Sequence, residues 1–186
     1  MRYYVGKEFY SMGLFIDLEG LDGCGKTTQT ELLCKRFEKE NIKYKKIKLP
    51  DYESDSSILV RKYLNGDFGK NANDVNAFAA SVLFAADRFA SYTEKWKNDY
   101  KNGTLIFSDR YTPANALYQM TKLEPEEWDS YLEWLFDFEY NKIGIPEPTM
   151  VVFLDMPVEV SQKLMTSRYN GDESKKKETL KLINYH

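Results

Sequence analysis

Histidine is all but missing from this chain of 186 residues: the single one, His186, is the last residue. That leaves no basis for imidazole acid–base chemistry or for zinc sites with histidine ligands. Cysteine is scarce as well. Cys24 and Cys34 are the only two, too far apart for a CxxC pair and too few for a disulfide framework, so a reducing compartment is expected. A surplus of positive charge is also lacking. The net charge is −3, whereas proteins that grip a nucleic-acid backbone usually carry a basic excess. No nucleic-acid partner is expected, and any nucleotide partner should be small. Long apolar runs are absent too, since none approaches the ~18 residues of a membrane span. The opening MRYYVGKEFYSMG lacks the apolar stretch of a signal peptide. The expectation is a soluble, cytoplasmic protein with no membrane partner.

What is present suits one globular core, with 42% apolar and 30% charged residues. Residues 1–12 read as an extension ahead of a single domain, 13–186. Apolar runs of strand length occur at Leu14 to Leu18 and Met150 to Leu154, and Tyr44 to Leu49 (ended by Pro50) and Thr104 to Ser108 also read as strands. Helical patterns fill the gaps. Thr27 to Glu40 carries Leu32, Leu33 and Phe37 at helical spacing, and Ile58 to Leu64 is followed by Gly66. Asn73 to Tyr100 reads as one long helix, another starts near Pro113, and two more span Glu124 to Tyr140 and Pro157 to Ser167. Short apolar strands alternating with helices predict an α/β protein, a parallel sheet flanked by helices on both faces.

Gly20-Leu21-Asp22-Gly23-Cys24-Gly25-Lys26-Thr27 matches G-x-x-x-x-G-K-[ST] between a strand and a helix. The physical need is clear. Gly20, Gly23 and Gly25 let the backbone curl its N–H groups toward phosphates, and the helix adds its positive end. Lys26 brings a full charge to the β and γ phosphates, Thr27 offers a hydroxyl to Mg²⁺, and Thr28 extends the loop's reach. The loop alone does not fix a reaction. No N/T-K-x-D stretch of a guanine reader is present. A nucleotide kinase also needs a second phosphate site, usually built from arginine. Two Asp-Arg pairs offer one: Asp87-Arg88 within the long helix, and Asp109-Arg110 directly after the third strand, where ligands of such sheets bind.

These motifs together resemble the thymidylate kinase family. Glu19 to Gln29 is similar to its EGxDGxGKTTQ opening, Phe84-Ala85-Ala86-Asp87-Arg88 to its F-A-x-x-R segment, and Asp109 to Gln119 to its DRYxxSxxAYQ stretch. Val152 to Pro157 resembles its (F/Y)LDxxP strand. The resemblance implies the three-layer P-loop NTPase fold and transfer of the γ-phosphoryl of ATP to dTMP, giving dTDP and ADP, with Mg²⁺ as cofactor and a homodimer as the assembly. It implies that Phe84 stacks on the thymine, that Arg88 donates to a thymine carbonyl and that Asn115 lies beside the base edge. It further implies that Tyr118 lies near the sugar, that Asp22 holds the 3′-hydroxyl, that Arg110 contacts the acceptor phosphate and that Asp109 lies near the metal. At the Pro50-Asp51 corner the family's usual arginine is not obvious, and Lys48 is the basic residue available. No variable position of the loop is basic, so catalytic arginine would come from a lid at about 168–178, beginning with Arg168. Tyr169 to His186 departs from the family's lid and final helix and reads as a truncated or diverged, solvated charged end. Two alternatives stay open: another nucleoside or deoxynucleoside monophosphate kinase, and a non-catalytic nucleotide-binding remnant.

Overall fold

In the computed structural model, which describes residues 3–5, 8–10 and 12–167, Tyr3–Val5 (β1) pairs antiparallel with Glu8–Tyr10 (β2). This ribbon shares no strand with the main sheet. That sheet starts at Phe15–Gly20 (β3), where every residue from Asp17 to Gly20 is buried. Burial on both faces suits a central parallel strand, yet two of the buried residues, Asp17 and Glu19, are acids.

The glycine turn leads into Lys26–Lys39 (α1), with Arg36 and Lys39 in the last turn, where the helix dipole favours cations. Leu33 and Phe37 turn inward, and the Phe37 ring meets Phe107 edge-on at 6.0 Å. Leu32, expected on the same face, is exposed. Neighbouring helical residues lie about 100° apart, so Leu32 and Leu33 cannot both face the sheet. Tyr44–Lys48 (β4) follows, then a 3₁₀ turn at Asp55–Ser57 and Ile58–Leu64 (α2).

The long helix expected over 73–100 is divided. Ala72–Asp74 forms a separate 3₁₀ turn, and Ala77–Ser91 (α3) starts only after Asn76, whose side chain accepts from the Ala79 N–H. A π turn at Tyr92–Trp96 then joins α3 to Lys97–Lys101 (α4). The wider turn swings Tyr92, Trp96 and Tyr100 into the core, where Trp96 lies 5.3 Å from the Phe15 ring. Leu105–Asp109 (β5) leads to Thr112–Met120 (α5), with Pro113 in its first turn. The helix expected from Glu124 to Tyr140 divides likewise, into a 3₁₀ turn at Pro125–Glu127, Trp128–Phe136 (α6) and a π turn at Asp137–Lys142. Met150–Leu154 (β6) and Val158–Ser167 (α7) complete the described residues.

The four strands are parallel in the order β4-β5-β3-β6, and helices pack on the sheet as the α/β reading requires, α1 and α5 against β3 among them. Among the described residues β6 is an edge strand. For all its apolar sequence, Met150, Val151, Val152 and Phe153 are exposed among the described residues. The connections after β3 and after β5 leave these neighbouring strands in opposite directions, toward β4 and toward β6, and clefts form at the carboxyl ends of strands around such a switch. The register sets Lys48 beside Asp109 and Asp109 beside Leu18, just before Gly20. Two side-chain clusters support this end: Val60, Tyr63, Leu64, Ala80 and Phe84 tie α2 to α3, while Ala77, Ala116, Tyr131 and Leu135 tie α3, α5 and α6.

Candidate active site

The glycine loop closes the end of β3. Gly20 has φ +146°, and a Cβ there would lie 2.7 Å from Cys24 Sγ and 2.9 Å from the Leu154 carbonyl oxygen. Gly23 has φ +82° and presses on α7, where a Cβ would meet the Ser161 carbonyl oxygen at 2.7 Å. The buried Ser161 hydroxyl also donates to the Asp22 carbonyl, so α7 braces the loop from behind. Lys26 Nζ donates to the carbonyls of Gly20 (2.7 Å) and Leu21 (2.8 Å), which hold it across the loop. Burial, and then the nearby Arg110, push its pKa below the ordinary lysine value.

A cavity of about 120 Å³ opens here, lined by Asp22, Gly23, Gly25, Lys26, Thr27, Lys48, Asp109 and Arg110. The structure thus brings Thr27, Lys26 and Asp109 together, whereas Thr28 is exposed and does not line the cavity. Thr27 and Asp109 contribute hard oxygens, the donor type that suits Mg²⁺.

Arg110 adopts φ +73°, a left-handed conformation costly for a residue with a side chain. Its surroundings hold it there. Its N–H donates to the Leu18 carbonyl at 3.2 Å, and the next residues are fixed by Glu19. Glu19 Oε1 accepts from the N–H groups of Tyr111 and Ala114, both at 2.9 Å, so a strand acid caps α5, which has no side-chain cap of its own. The Arg110 guanidinium pairs with Asp22 and lies over the Tyr118 ring, 5.2 Å from its centroid. Burial alone would weaken that charge, but Tyr118 and Asp22 outweigh it and hold the arginine firmly protonated.

A second cavity, about 220 Å³, adjoins the first and is enclosed by β4's end, α2, α3 and α5. Its wall includes every residue assigned to the acceptor nucleotide: Asp22, Phe84, Arg88, Arg110, Asn115 and Tyr118. Phe84 is largely buried and meets Tyr63 edge-on at 5.9 Å, so it packs and lines the cavity at once. Asn115 and Gln119 are buried on the wall. Among the described residues nothing hydrogen-bonds the amide nitrogen or oxygen of Asn115, or Gln119 Oε1. Buried polar atoms rarely go unpaired without a reason. Asp87 is structural: its carboxylate accepts from the Asp51 N–H (2.8 Å) and the Ser56 hydroxyl (2.7 Å), anchoring the loop that brings Pro50 and Tyr52 to the cavity.

Arg168 lies outside the described residues, as do the lid at 168–178 and the tail beyond it. Sequence reasoning gave no role to Glu19, Gln119 or Ser161. Gln119 stood inside the quoted motif, and an acid amid an apolar strand could have flagged Glu19.

The family profile described as "Thymidylate kinase" matches residues 18–186, lysine-rich tail included. The chain is 32% identical over 161 residues to a probable thymidylate kinase of Thermococcus gammatolerans, covering 84% of this chain and 72% of that protein. It is 28% identical to the thymidylate kinase of Caenorhabditis elegans, covering 80% of this chain and 66% of that one. The solved structure of thymidylate kinase from Candida albicans aligns with a TM-score of 0.62 and 26% identity over 82% of this chain and 67% of that chain.

Proposed function

This chain belongs to the thymidylate kinase family and is a nucleotide kinase, and we propose that these two adjoining cavities hold ATP and dTMP for direct transfer of the γ-phosphoryl group. One observation carries this reading: Asp22, Lys48 and Arg110 line both cavities. An acceptor phosphate extending from the larger cavity would reach these residues from one side. The donor's terminal phosphate would reach them from the other.

On this reading the loop N–H groups hold the donor phosphates, and Lys26 exchanges its carbonyl partners for phosphate oxygens. Arg110, with Lys48 beside it, draws the acceptor phosphate into line, and the charge spreading over the transferred group meets cations already in position. Thr27 and Asp109 would hold Mg²⁺, which neutralises charge on the β and γ phosphates when bound with ATP. No covalent intermediate is needed.

The larger cavity favours a pyrimidine imide. Arg88 donates, Gln119 Oε1 accepts, and Asn115 can do either, which matches a ring with two carbonyls and an N–H. Phe84 adds an aromatic surface worth about 1–3 kcal/mol to a base. Asp22 has a second oxygen for the sugar hydroxyl beside its pairing with Arg110. No helix among the described residues is long and apolar enough to cross a membrane. Phe78, Val82 and Phe89 are exposed along one side of α3, which supports a homodimer through that helix.

The test is ADP release from ATP and Mg²⁺ by the purified chain, with dTMP, dUMP, dCMP, dGMP, AMP and thymidine offered separately. The reading expects dTMP to lead. A different leading acceptor overturns the base assignment. Thermal stabilisation by dTMP without turnover would mark a binding remnant.

A further inference from the structure

We propose that Glu139 is a positioning residue for base recognition: it fixes the plane of Arg88 and thereby sets which pyrimidine the larger cavity accepts. The inference rests on reading that cavity as the acceptor-base site, and it assigns a role to a residue remote in sequence from every motif.

Glu139 belongs to the π turn at Asp137–Lys142 and is completely buried. Its carboxylate takes Arg88 Nε at 2.6 Å and Arg88 Nη2 at 2.5 Å, a two-pronged pairing in which both side chains are almost wholly out of water. The Thr112 hydroxyl donates to the same carboxylate at 2.8 Å. One acid thus joins α3, through Arg88, to the first turn of α5, which carries Asn115 and Gln119. These two helices supply Phe84, Arg88, Asn115 and Gln119 to the cavity.

A planar guanidinium clamped on two of its nitrogens cannot rotate freely. Glu139 occupies the Nε–Nη2 edge, so Nη1 and one N–H of Nη2 are what Arg88 can offer to a ligand. A fixed donor discriminates. It pairs with the 4-carbonyl of thymine or uracil and opposes the 4-amino group of cytosine, which is itself a donor. A loose arginine could swing aside and tolerate the amino group. Water cannot take over the role of Glu139, because the pair is buried.

The experiment compares Glu139→Gln with the unaltered chain in steady-state assays with dTMP and dCMP, alongside thermal melting. The expected result is at least a tenfold fall in the dTMP-to-dCMP ratio of kcat/KM. It should come from a raised KM for dTMP, with kcat less affected and KM for ATP unchanged. Thr112→Val, which removes only the third contact on the same carboxylate, should shift the ratio in the same direction by less, and it carries the test if Glu139→Gln does not fold. A merely structural role would lower the melting temperature and leave the ratio and both KM values unchanged, overturning the proposal. Arg88→Lys, run in parallel, separates two failures. If it leaves the ratio unchanged, the base-site reading itself is wrong. If it shifts the ratio while neither Glu139→Gln nor Thr112→Val does, only the positioning role is wrong.

Discussion

The phosphate cavity and the base cavity adjoin, yet they are built in opposite ways. The first is mostly one contiguous stretch, Gly20 to Thr27, in which backbone and a single lysine do most of the work. The second is assembled from β4's end, α2, α3 and α5, and its chemistry lies in side chains. Phosphates are alike in all nucleotides, so a backbone cradle can be written as a short motif. A base must be told from its relatives, and that takes donors and acceptors held in fixed places by their neighbours, such as Glu139 behind Arg88. Damage to the first region should therefore stop chemistry for every acceptor, and damage to the second should change which acceptor is used.

Lys26→Ala sets the upper end of that contrast. Turnover should fall about 10³-fold or more with any acceptor, while dTMP still raises the melting temperature. Loss of dTMP binding in this variant would break the division between the regions. Arg110→Ala removes a residue common to both cavities and should lower kcat/KM for dTMP by about 10²–10³-fold, with kcat reduced for every acceptor. Gln119→Leu should act on the base alone, cutting the preference for dTMP over dCMP by about 10- to 100-fold with little change in KM for ATP. The smallest effect concerns stability. Burial, then the neighbouring Glu19, push the Asp17 carboxyl from 3.8 up to about 9. The folded state therefore binds this proton more tightly than the unfolded chain. The associated stability is full below about pH 4 and is lost progressively as pH rises to about 9. Asp17→Asn should raise the melting temperature at pH 9 and change it little near pH 4. An equal shift at both would contradict the account.

The same contrast governs what could be read from the residues alone. The strand–loop–helix setting of Gly20 to Thr27, the parallel sheet and the end of β5 at Asp109 follow from apolar runs and turn residues, which are local signals. The helix breaks at Tyr92 and Asp137 do not, because a π turn keeps helical spacing on either side and its extra residue is fixed by tertiary packing, as with Trp96 on Phe15. The base-reading roles of Phe84, Arg88 and Asn115 follow from family resemblance and not from periodicity, although the Asp87-Arg88 pair stands out in the sequence by itself. Glu139 was invisible, since an acid in a stretch that also holds Asp137 and Lys142 looks like part of a solvated face. Glu19 carried a signal, an acid in an apolar strand, whose meaning as the cap of α5 emerged only when β5's end came alongside.

The central claim is that donor and acceptor phosphates meet at Asp22, Lys48 and Arg110. Calorimetric titration with adenosine and thymidine joined through five phosphates tests it most directly. If one molecule spans both cavities, it should bind at least about 100-fold more tightly than ATP or dTMP alone, because the second engagement becomes intramolecular, and Arg110→Ala should remove most of that gain. Binding no tighter than ATP, and indifferent to Arg110→Ala, would contradict it.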